Sequence, residues 1–162
     1  MKLQIAVVLF LATNAFAGIE INFDRFTNKT VVATPGMDEL ISRADSALTP
    51  SWFTQFTGQQ PTALPSKLNL TFWKVNKSWK YLRCHDVVML ADGSPFPLDA
   101  SKHDGTVGRG YVMERVGVDV SFAKAEELSR AKLVEFKICN TEGRFSEGDM
   151  EDLRNFVKAL TP

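Results

Sequence analysis

Two short stretches of the chain combine residue types that can perform chemistry. Cys84, His85 and Asp86 stand side by side in the apolar run YLRCHDVVML, and His103 and Asp104 follow further along the chain. Side chains of these types can bind zinc, attack an acyl group or relay a proton. A small hydrolase or metal-binding protein could use the two histidines together with the two aspartates.

The number and spacing of these residues argue against such sites. The chain has two histidines and contains no Cys-x-x-Cys, His-Glu-x-x-His, Gly-x-Ser-x-Gly or Walker sequence. Neighbouring residues of a strand point to opposite faces, so Cys84 and His85 could not easily bind one ion or form a nucleophile–base pair. A pairing of Cys84 with His103 stays open. The sequence favours a non-enzymatic domain without a cofactor or metal, and the periplasmic hydrolase or metal-binding protein is the alternative.

Cys84 and Cys139 are the two cysteines of the chain, and they predict a disulfide if the protein is exported. Closing a loop of about 55 residues would stabilise the fold by roughly 4 kcal/mol. Strict alternation in the segment LVEFKIC, however, puts Cys139 on the face of Glu135 and Lys137, whereas Cys84 shares a face with apolar residues. A bulge or a strand end at Asn140 would be needed to bring the two sulfurs together.

The N-terminus has the features of a secretory signal. Lys2 is followed by an apolar run of about ten residues, too short to span a bilayer, and Ala-Phe-Ala at 15–17 matches a cleavage site. We therefore predict cleavage before Gly18 and one exported domain over residues 18–162, periplasmic or secreted, with no membrane anchor. Without Lys2 the chain carries 18 basic and 19 acidic side chains. This near-neutral balance argues against a nucleic-acid partner.

The elements that must position these residues follow from the periodicity of apolar side chains. Residues 78–90 are apolar on both faces over much of their length, as is typical of a central strand covered twice. The Asp92-Gly93 pair then predicts a turn, and the following prolines confine any strand to a sheet edge. Alternation of apolar and polar residues predicts further strands within residues 18–26, 28–36, 67–75, 111–121 and 133–139.

Three segments have the pattern of helices. Apolar residues recur at helical spacing over 37–48, Ser121 can cap a second helix, and a capping box at Ser146 begins the last one. Residues 49–66 are rich in Pro, Thr, Gln and Ser, so an irregular insertion is predicted at about 36–66. The predicted fold is α+β: an antiparallel β-sheet or β-sandwich with two to three short helices packed on one side. An immunoglobulin-like sandwich with helical decorations is the alternative.

Two segments are predicted to form a ligand or partner surface. The first, KHDGTVGRGY, has three glycines near basic side chains and could cradle an anion with its amides or simply connect two strands. The second lies within the predicted insertion. Its aromatic rings would form an apolar patch if exposed, or cover the sheet if the segment folds back. The residues of this predicted surface are Lys102, His103, Asp104, Arg109, Trp52, Phe53 and Phe56.

The order of these segments resembles a group of uncharacterised exported bacterial proteins. The resemblance is carried by FDRFTNKTVV, by WKYLRCHDVVMLADGSPFPL, and by the ending ERVGVDVSFAKAEELSRAKLVEFKICNTEGRFSEGDMEDLRNF. It covers most of the chain after the signal except residues 36–66. It implies a small exported sheet domain and brings no assigned activity. The predicted function is therefore non-enzymatic binding of a protein, an envelope component or a small ligand.

Overall fold

The structure is a computed structural model that describes residues 18–35 and 37–161. The predicted signal segment, residues 1–17, lies outside the described residues. The strands are β1 (Glu20–Asp24), β2 (Lys29–Ala33), β3 (Thr49–Thr57), β4 (Leu68–Asn76), β5 (Val87–Ala91), β6 (Ser94–Phe96), β7 (Lys102–Val107), β8 (Val112–Val120), β9 (Val134–Ile138) and β10 (Thr141–Arg144). The helices are α1 (Met37–Ser46), α2 (Phe122–Ser129) and α3 (Glu147–Leu160).

The strands form two antiparallel sheets. The larger has the order β1-β2-β3-β4-β8-β7, and the smaller has the order β10-β9-β5-β6. The predicted α+β sandwich is thereby confirmed. In the described part of the chain, no helix is both long enough and apolar enough to span a bilayer.

The core lies between the two sheets and beneath the last two helices. Alternation in β4 directs Leu70 and Phe72 inward, and the ring of Phe72 meets that of Phe136 from the smaller sheet at a centroid distance of 4.6 Å. Further along the larger sheet, Trp52 packs against Phe156 of α3 at 6.3 Å. The inner face of the larger sheet is therefore shared between the smaller sheet and α3.

The other face of the larger sheet is partly covered by α1. Leu40 and Ala44 of this helix pack against Trp73 in β4, and the Trp73 indole Nε1 donates a hydrogen bond to Ser51 Oγ (2.8 Å). β4 consequently has a buried side chain on each face, as expected of a strand in the middle of a sheet.

Both predicted helix caps near the C-terminus are confirmed. Ser121 caps α2, and Ser146 caps α3 through a complete capping box with Asp149. Asp149 also forms an ion pair with Arg43 of α1, which lies within 3.6 Å of Asp152 as well. These pairs connect the first helix to the last.

The prediction of an irregular segment over residues 49–66 is wrong in its first half, because residues 49–57 form β3. The segment does alternate, with Trp52 and Thr54 inward and Phe53 and Gln55 outward. Because many of its residues are polar, the sequence does not show this alternation between inward and outward positions. The irregular part begins only at Gly58.

The prediction of one strand over residues 78–90 is also wrong. Only Val87–Ala91 is a strand. It lies between two neighbours in the smaller sheet, and only one of its faces is covered, since Val88 on the other face is exposed. Residues 77–86 are irregular. Conversely, the predicted glycine-rich loop after Ser101 is a strand over Lys102–Val107 and a turn only beyond that point.

Candidate functional site

The residues with catalytic potential lie around a buried carboxylate in β8. Glu114 is fully buried on the inner face of the larger sheet, in the row that also contains Val112 and Val116. Its two carboxylate oxygens accept hydrogen bonds from the backbone amides of Lys80 (2.9 Å) and Tyr81 (2.8 Å). The irregular segment 77–86 is thus folded onto Glu114 instead of pairing as a strand.

Two side chains complete the environment of this carboxylate. Asn76 Nδ2 donates to Glu114 at 2.8 Å, and His103 Nε2 lies 3.1 Å from the same group. Burial is the largest single effect and raises the pKa of Glu114, but the hydrogen bonds from Tyr81, Lys80, Asn76 and His103 together outweigh it. The net pKa is lowered, so Glu114 is an ionised buried acceptor. Because an ionised carboxylate can only accept, Nε2 of His103 carries the hydrogen.

The two histidines converge, as an active site or a metal site would require. The rings of His85 and His103 stack with centroids 5.9 Å apart, and Trp79 meets the His103 ring edge-on at 5.7 Å. Nδ1 of His85 is buried without a hydrogen-bond partner among the described residues. We call Trp79, His85, His103 and Glu114 the histidine cluster.

The partners that chemistry would need do not join this cluster. Asp104 lies on the opposite face of β7, where it pairs with Arg115 and accepts the Gly105 amide, and hydrogen bonding by Arg115 is the main cause of its lowered pKa. Asp86 is exposed. Ser101 Oγ donates to the backbone carbonyl of His85 (2.6 Å) instead of a ring nitrogen. Within residues 18–35 and 37–161, no three His, Cys, Asp or Glu side chains are placed to hold a metal ion.

Cys84 and Cys139 are joined in a disulfide, so the predicted bond is confirmed and neither sulfur is a free nucleophile. The conflict between the faces of the two cysteines disappears because neither lies in a strand. β9 ends at Ile138, and Cys139 begins the two-residue turn to β10 with a left-handed backbone (φ 54°). Its amide also donates to the carbonyl of Asp86 (3.2 Å). The disulfide therefore ties the irregular segment 77–86 to the end of the smaller sheet.

Gly105 is the position in β7 on which the ring of Trp79 rests. A Cβ atom there would lie 2.6 Å from Trp79 Cζ3 and 2.7 Å from the carbonyl oxygen of Met113. We expect Gly105→Ala to lower the free energy of unfolding by about 1–3 kcal/mol, because neither contact can be relieved without moving the ring or the neighbouring strand.

Urea unfolding measures the loss of stability, and tryptophan fluorescence reports the displaced ring, since Trp79 is the most exposed of the three tryptophans. Gly117→Ala is the matched control, because a Cβ atom there makes only ordinary contacts at 3.4 Å or more. Equal stability of the two variants would show that Trp79 does not need a glycine beneath it.

Several residues of the predicted surface lie elsewhere in the fold. Trp52 is 1% exposed and belongs to the core, so its prediction as part of a partner surface is wrong. Phe56 is half-buried against the same core, and Phe53 is exposed on the outer face of the sheet. The side chain of His103 is 6% exposed, so its prediction as a surface group is wrong as well.

The remaining polar residues of that surface are exposed on or beside β7. Lys102 and Asp104 lie in this edge strand, and Arg109 lies in the turn that follows. They do not form an anion-cradling loop over residues 102–107, because the backbone there is paired with β8. Two glycines of the segment leave room for aromatic rings, Gly105 for Trp79 and Gly108 for Tyr111, whereas Gly110 has a left-handed backbone (φ 83°).

An apolar surface that sequence reasoning did not select lies at the opposite edge of the larger sheet. Ile21 and Phe23 in β1 point toward the inner face, yet they are 50% and 39% exposed. Phe26, in the turn between β1 and β2, is 85% exposed. We call these three residues the hairpin patch. The alternation in β1 marked the first two as apolar and same-sided, but it could not show that they stay largely exposed in the folded protein.

The position of Glu114, the charged residue of the histidine cluster, could have been recognised from the sequence. The alternation of β8 places Glu114 in an inward row of valines, and a carboxylate at such a position requires buried donors. The donors themselves could not be identified, because they come from an irregular segment.

Three comparisons were made with this chain: with models of protein families, with curated proteins and with solved structures. None of them finds a match. The resemblance to exported bacterial proteins therefore stays a prediction, and the chain's own residues are the basis for assigning a function.

Proposed function

We propose that this protein is an exported, non-enzymatic domain that binds a partner protein through the hairpin patch. The observation that carries the proposal is the exposure of Ile21, Phe23 and Phe26 together at one edge of the larger sheet. Several exposed apolar side chains within one short hairpin are typical of interaction sites. The outward face of the same strand carries Glu20, Asn22 and Asp24, so the apolar side is well defined.

The turn that presents Phe26 is ordered by its own hydrogen bonds. Asp24 accepts from the amide of Phe26 (2.8 Å) and from the hydroxyl of Thr27 (2.8 Å). The hydrogen bond from Thr27, followed by that from Phe26, lowers the pKa of Asp24. The guanidinium of Arg25 lies 4.8 Å from the Phe26 ring centroid. An exposed aromatic ring on a fixed turn supports binding, because little conformational entropy is lost when a partner covers it.

The edge position of β1 supports a protein as the partner. Among residues 18–35 and 37–161, β1 is paired with β2 alone, so its other side carries backbone donors and acceptors that an extended polypeptide can satisfy. Apolar pockets for alternate side chains would then come from Ile21 and Phe23. An envelope component or a small ligand would use the apolar side chains but not the strand edge.

Export is the second part of the proposal. The signal-like residues 1–17 and the resemblance to exported proteins support it, and so does the Cys84–Cys139 disulfide, because such bonds persist in oxidising compartments. Within export, we propose a periplasmic location, with secretion as the alternative.

The proposal is tested by cross-linking from the hairpin patch. Phe26→p-benzoylphenylalanine, expressed in the exporting host, should yield a defined protein adduct under ultraviolet light, while Leu82→p-benzoylphenylalanine should not. Leu82 is the matched control because it is also an exposed apolar residue but lies in the irregular segment. The adduct partner is then identified, purified and titrated against the protein.

We expect Phe26→Ser to weaken that affinity by about 30-fold, the size expected of an aromatic anchor, and Leu82→Ser to leave it within about twofold. Phe26→Ser should not change stability, since the ring is mostly solvent-exposed. Adducts that are the same from both positions, no adduct at all, or an affinity unaffected by Phe26→Ser would each overturn the assignment of the patch.

The convergence of the two histidines favours a second candidate function, a small hydrolase or metal-binding protein. In this alternative His85 and His103 act together; Asp86 and Asp104, predicted as the acidic groups, lie outside the histidine cluster, so Glu114 beside His103 takes that role. If the protein shows hydrolysis or zinc binding, the double variant His85→Ala with His103→Ala should abolish it. Activity or zinc affinity unchanged in that variant would end this hypothesis.

A further inference from the structure

A cavity of about 810 Å³ lies away from the histidine cluster and the hairpin patch. Three separate parts of the chain line it: the loop from α2 to β9, the end of β10, and α3. Each part contributes one cationic side chain, namely Lys132, Arg144 and Arg154 respectively. Glu147 is the acidic side chain in the lining. The lining thus carries a formal charge of +2 on a chain whose formal net charge is 0.

The three cations of the cavity form no ion pair among the described residues, a property they share with Arg25, Arg83 and Arg109 but not with the remaining arginines. Arg43 and Arg115 each pair with an aspartate, and Arg130 pairs with Glu126. Within the described part of the chain, the three cations of the cavity have no acidic group within 4.0 Å. Because these three cations outnumber Glu147, the acidic side chain of the lining, the excess positive charge favours binding of an anion.

The walls of the cavity include apolar side chains. Phe145 and Met150 are buried beneath it, and Leu133 lies at its rim. A low-dielectric wall strengthens the attraction between the cations and an anion compared with the same charges on an open surface. The cavity volume also falls within the range typical of small-ligand sites.

The loop that carries Lys132 is held in place before any ligand arrives. One carboxylate oxygen of Asp92, in the β5–β6 turn, accepts from the backbone amides of Lys132 and Leu133, both at 2.9 Å. The amide of Asp92 in turn donates to the carbonyl of Leu133 (2.8 Å). Next to this loop the amide of Phe145 donates to the carbonyl of Val134 (2.9 Å), which fixes the strand end at Arg144.

We propose that this cavity binds a dianionic phosphoryl group. Guanidinium groups match phosphate oxygens in a bidentate fork, and the ammonium of Lys132 supplies a third point of charge. A phosphate monoester carries about −1.5 to −2 at neutral pH, which complements the +2 of the lining, whereas a single carboxylate would leave half of it uncompensated. The N-terminus of α3 plays no part, because Ser146 and Asp149 already cap it.

The phosphoryl group could belong to a soluble phosphate ester or to a lipid headgroup, and two assays distinguish these sources. Calorimetric titration of the processed protein with glycerol 3-phosphate and with inorganic pyrophosphate detects a soluble ligand. Co-sedimentation with phosphatidylcholine vesicles, with and without phosphatidic acid, detects a headgroup.

Charge variants then test the site with effects of opposite sign. Arg144→Gln and Arg154→Gln should each weaken binding by about tenfold, as expected for the loss of a charge-assisted hydrogen bond. Glu147→Gln should strengthen it by about threefold, because it removes the acidic group of the lining. Arg83→Gln is the matched control, since Arg83 is exposed and does not line the cavity.

Binding in either assay with this order of variants supports the site and names its source. No binding in both assays overturns the proposal. So does binding that Arg144→Gln and Arg154→Gln leave unchanged, or that Arg83→Gln weakens equally. The hairpin-patch variant Phe26→Ser should bind the phosphoryl probe normally, so failure of this site and failure of the proposed partner surface remain distinguishable.

Discussion

Replacing Cys84 and Cys139 together by alanine is expected to lower the free energy of unfolding by about 4 kcal/mol. The two cysteines are 55 residues apart, and opening a loop of that length returns its conformational entropy to the unfolded chain. The loss is large for a domain of this size, whose total stability is typically about 5–15 kcal/mol.

Urea unfolding of the double variant, compared with the oxidised protein, measures this loss. The oxidised protein incubated with dithiothreitol is the control, because it loses the bond without a change of side chain. Both samples should lose similar free energy, and intact mass should show that the oxidised form lacks free thiols. A loss below about 1 kcal/mol in both would show that the segment around Cys84 is held by its other contacts alone.

Replacing Glu114 by glutamine is expected to lower the free energy of unfolding by about 3 kcal/mol. Both oxygens of Glu114 accept hydrogen bonds, and in glutamine one of them becomes an amide that faces the donors of Asn76 and Lys80 or those of Tyr81 and His103. Buried donors would then be left without an acceptor. Glu142→Gln is the matched control, since it removes an exposed carboxylate paired with Lys137 and should cost less than about 1 kcal/mol.

The pH dependence of this difference identifies its cause. The pKa of Glu114 is lower in the folded protein than its ordinary value of 4.5, so the unfolded chain takes up the proton first as the pH falls. The stabilisation is therefore complete above pH 4.5 and is lost below it as the pH falls through the folded pKa. The difference in free energy of unfolding between the native protein and Glu114→Gln should become smaller as the pH falls below 4.5. A constant gap down to pH 3 would mean that the shape of the side chain, and not its charge, stabilises the segment.

The most regular elements could be predicted from the sequence. β4 alternates apolar and polar residues over its first five positions, β8 has valine at four of its five inward positions, and α3 has a capping box followed by an apolar stripe, so local pattern and tertiary packing agree. β3 could not be recognised because Thr, Gln and Ser occupy its inward and outward positions and Pro50 stands near its start. The conformation of β3 depends on its pairing with β2 and β4, and that pairing is a property of the whole sheet that the local sequence does not reveal.

The candidate sites were predictable only in part. Pairing of the two cysteines followed from their number and from the predicted compartment, without knowledge of the strands. The approach of His85 to His103 did not follow, because it depends on how the irregular segment folds onto Glu114. The cations of the cavity, such as Arg144 and Arg154, are individually ordinary surface residues. Only the arrangement of β10 and α3 brings them together.

The connectivity of the two sheets has a consequence for the order of events during synthesis. All six strands of the larger sheet are present once the chain reaches Val120, but of the two neighbours of β5 only β6 has then been made, because β9 begins at Val134. The partner of Cys84 appears later still, at residue 139 of 162. A nascent chain can therefore complete its larger sheet while Cys84 is still a thiol. Formation of the disulfide must follow synthesis of every strand of the larger sheet.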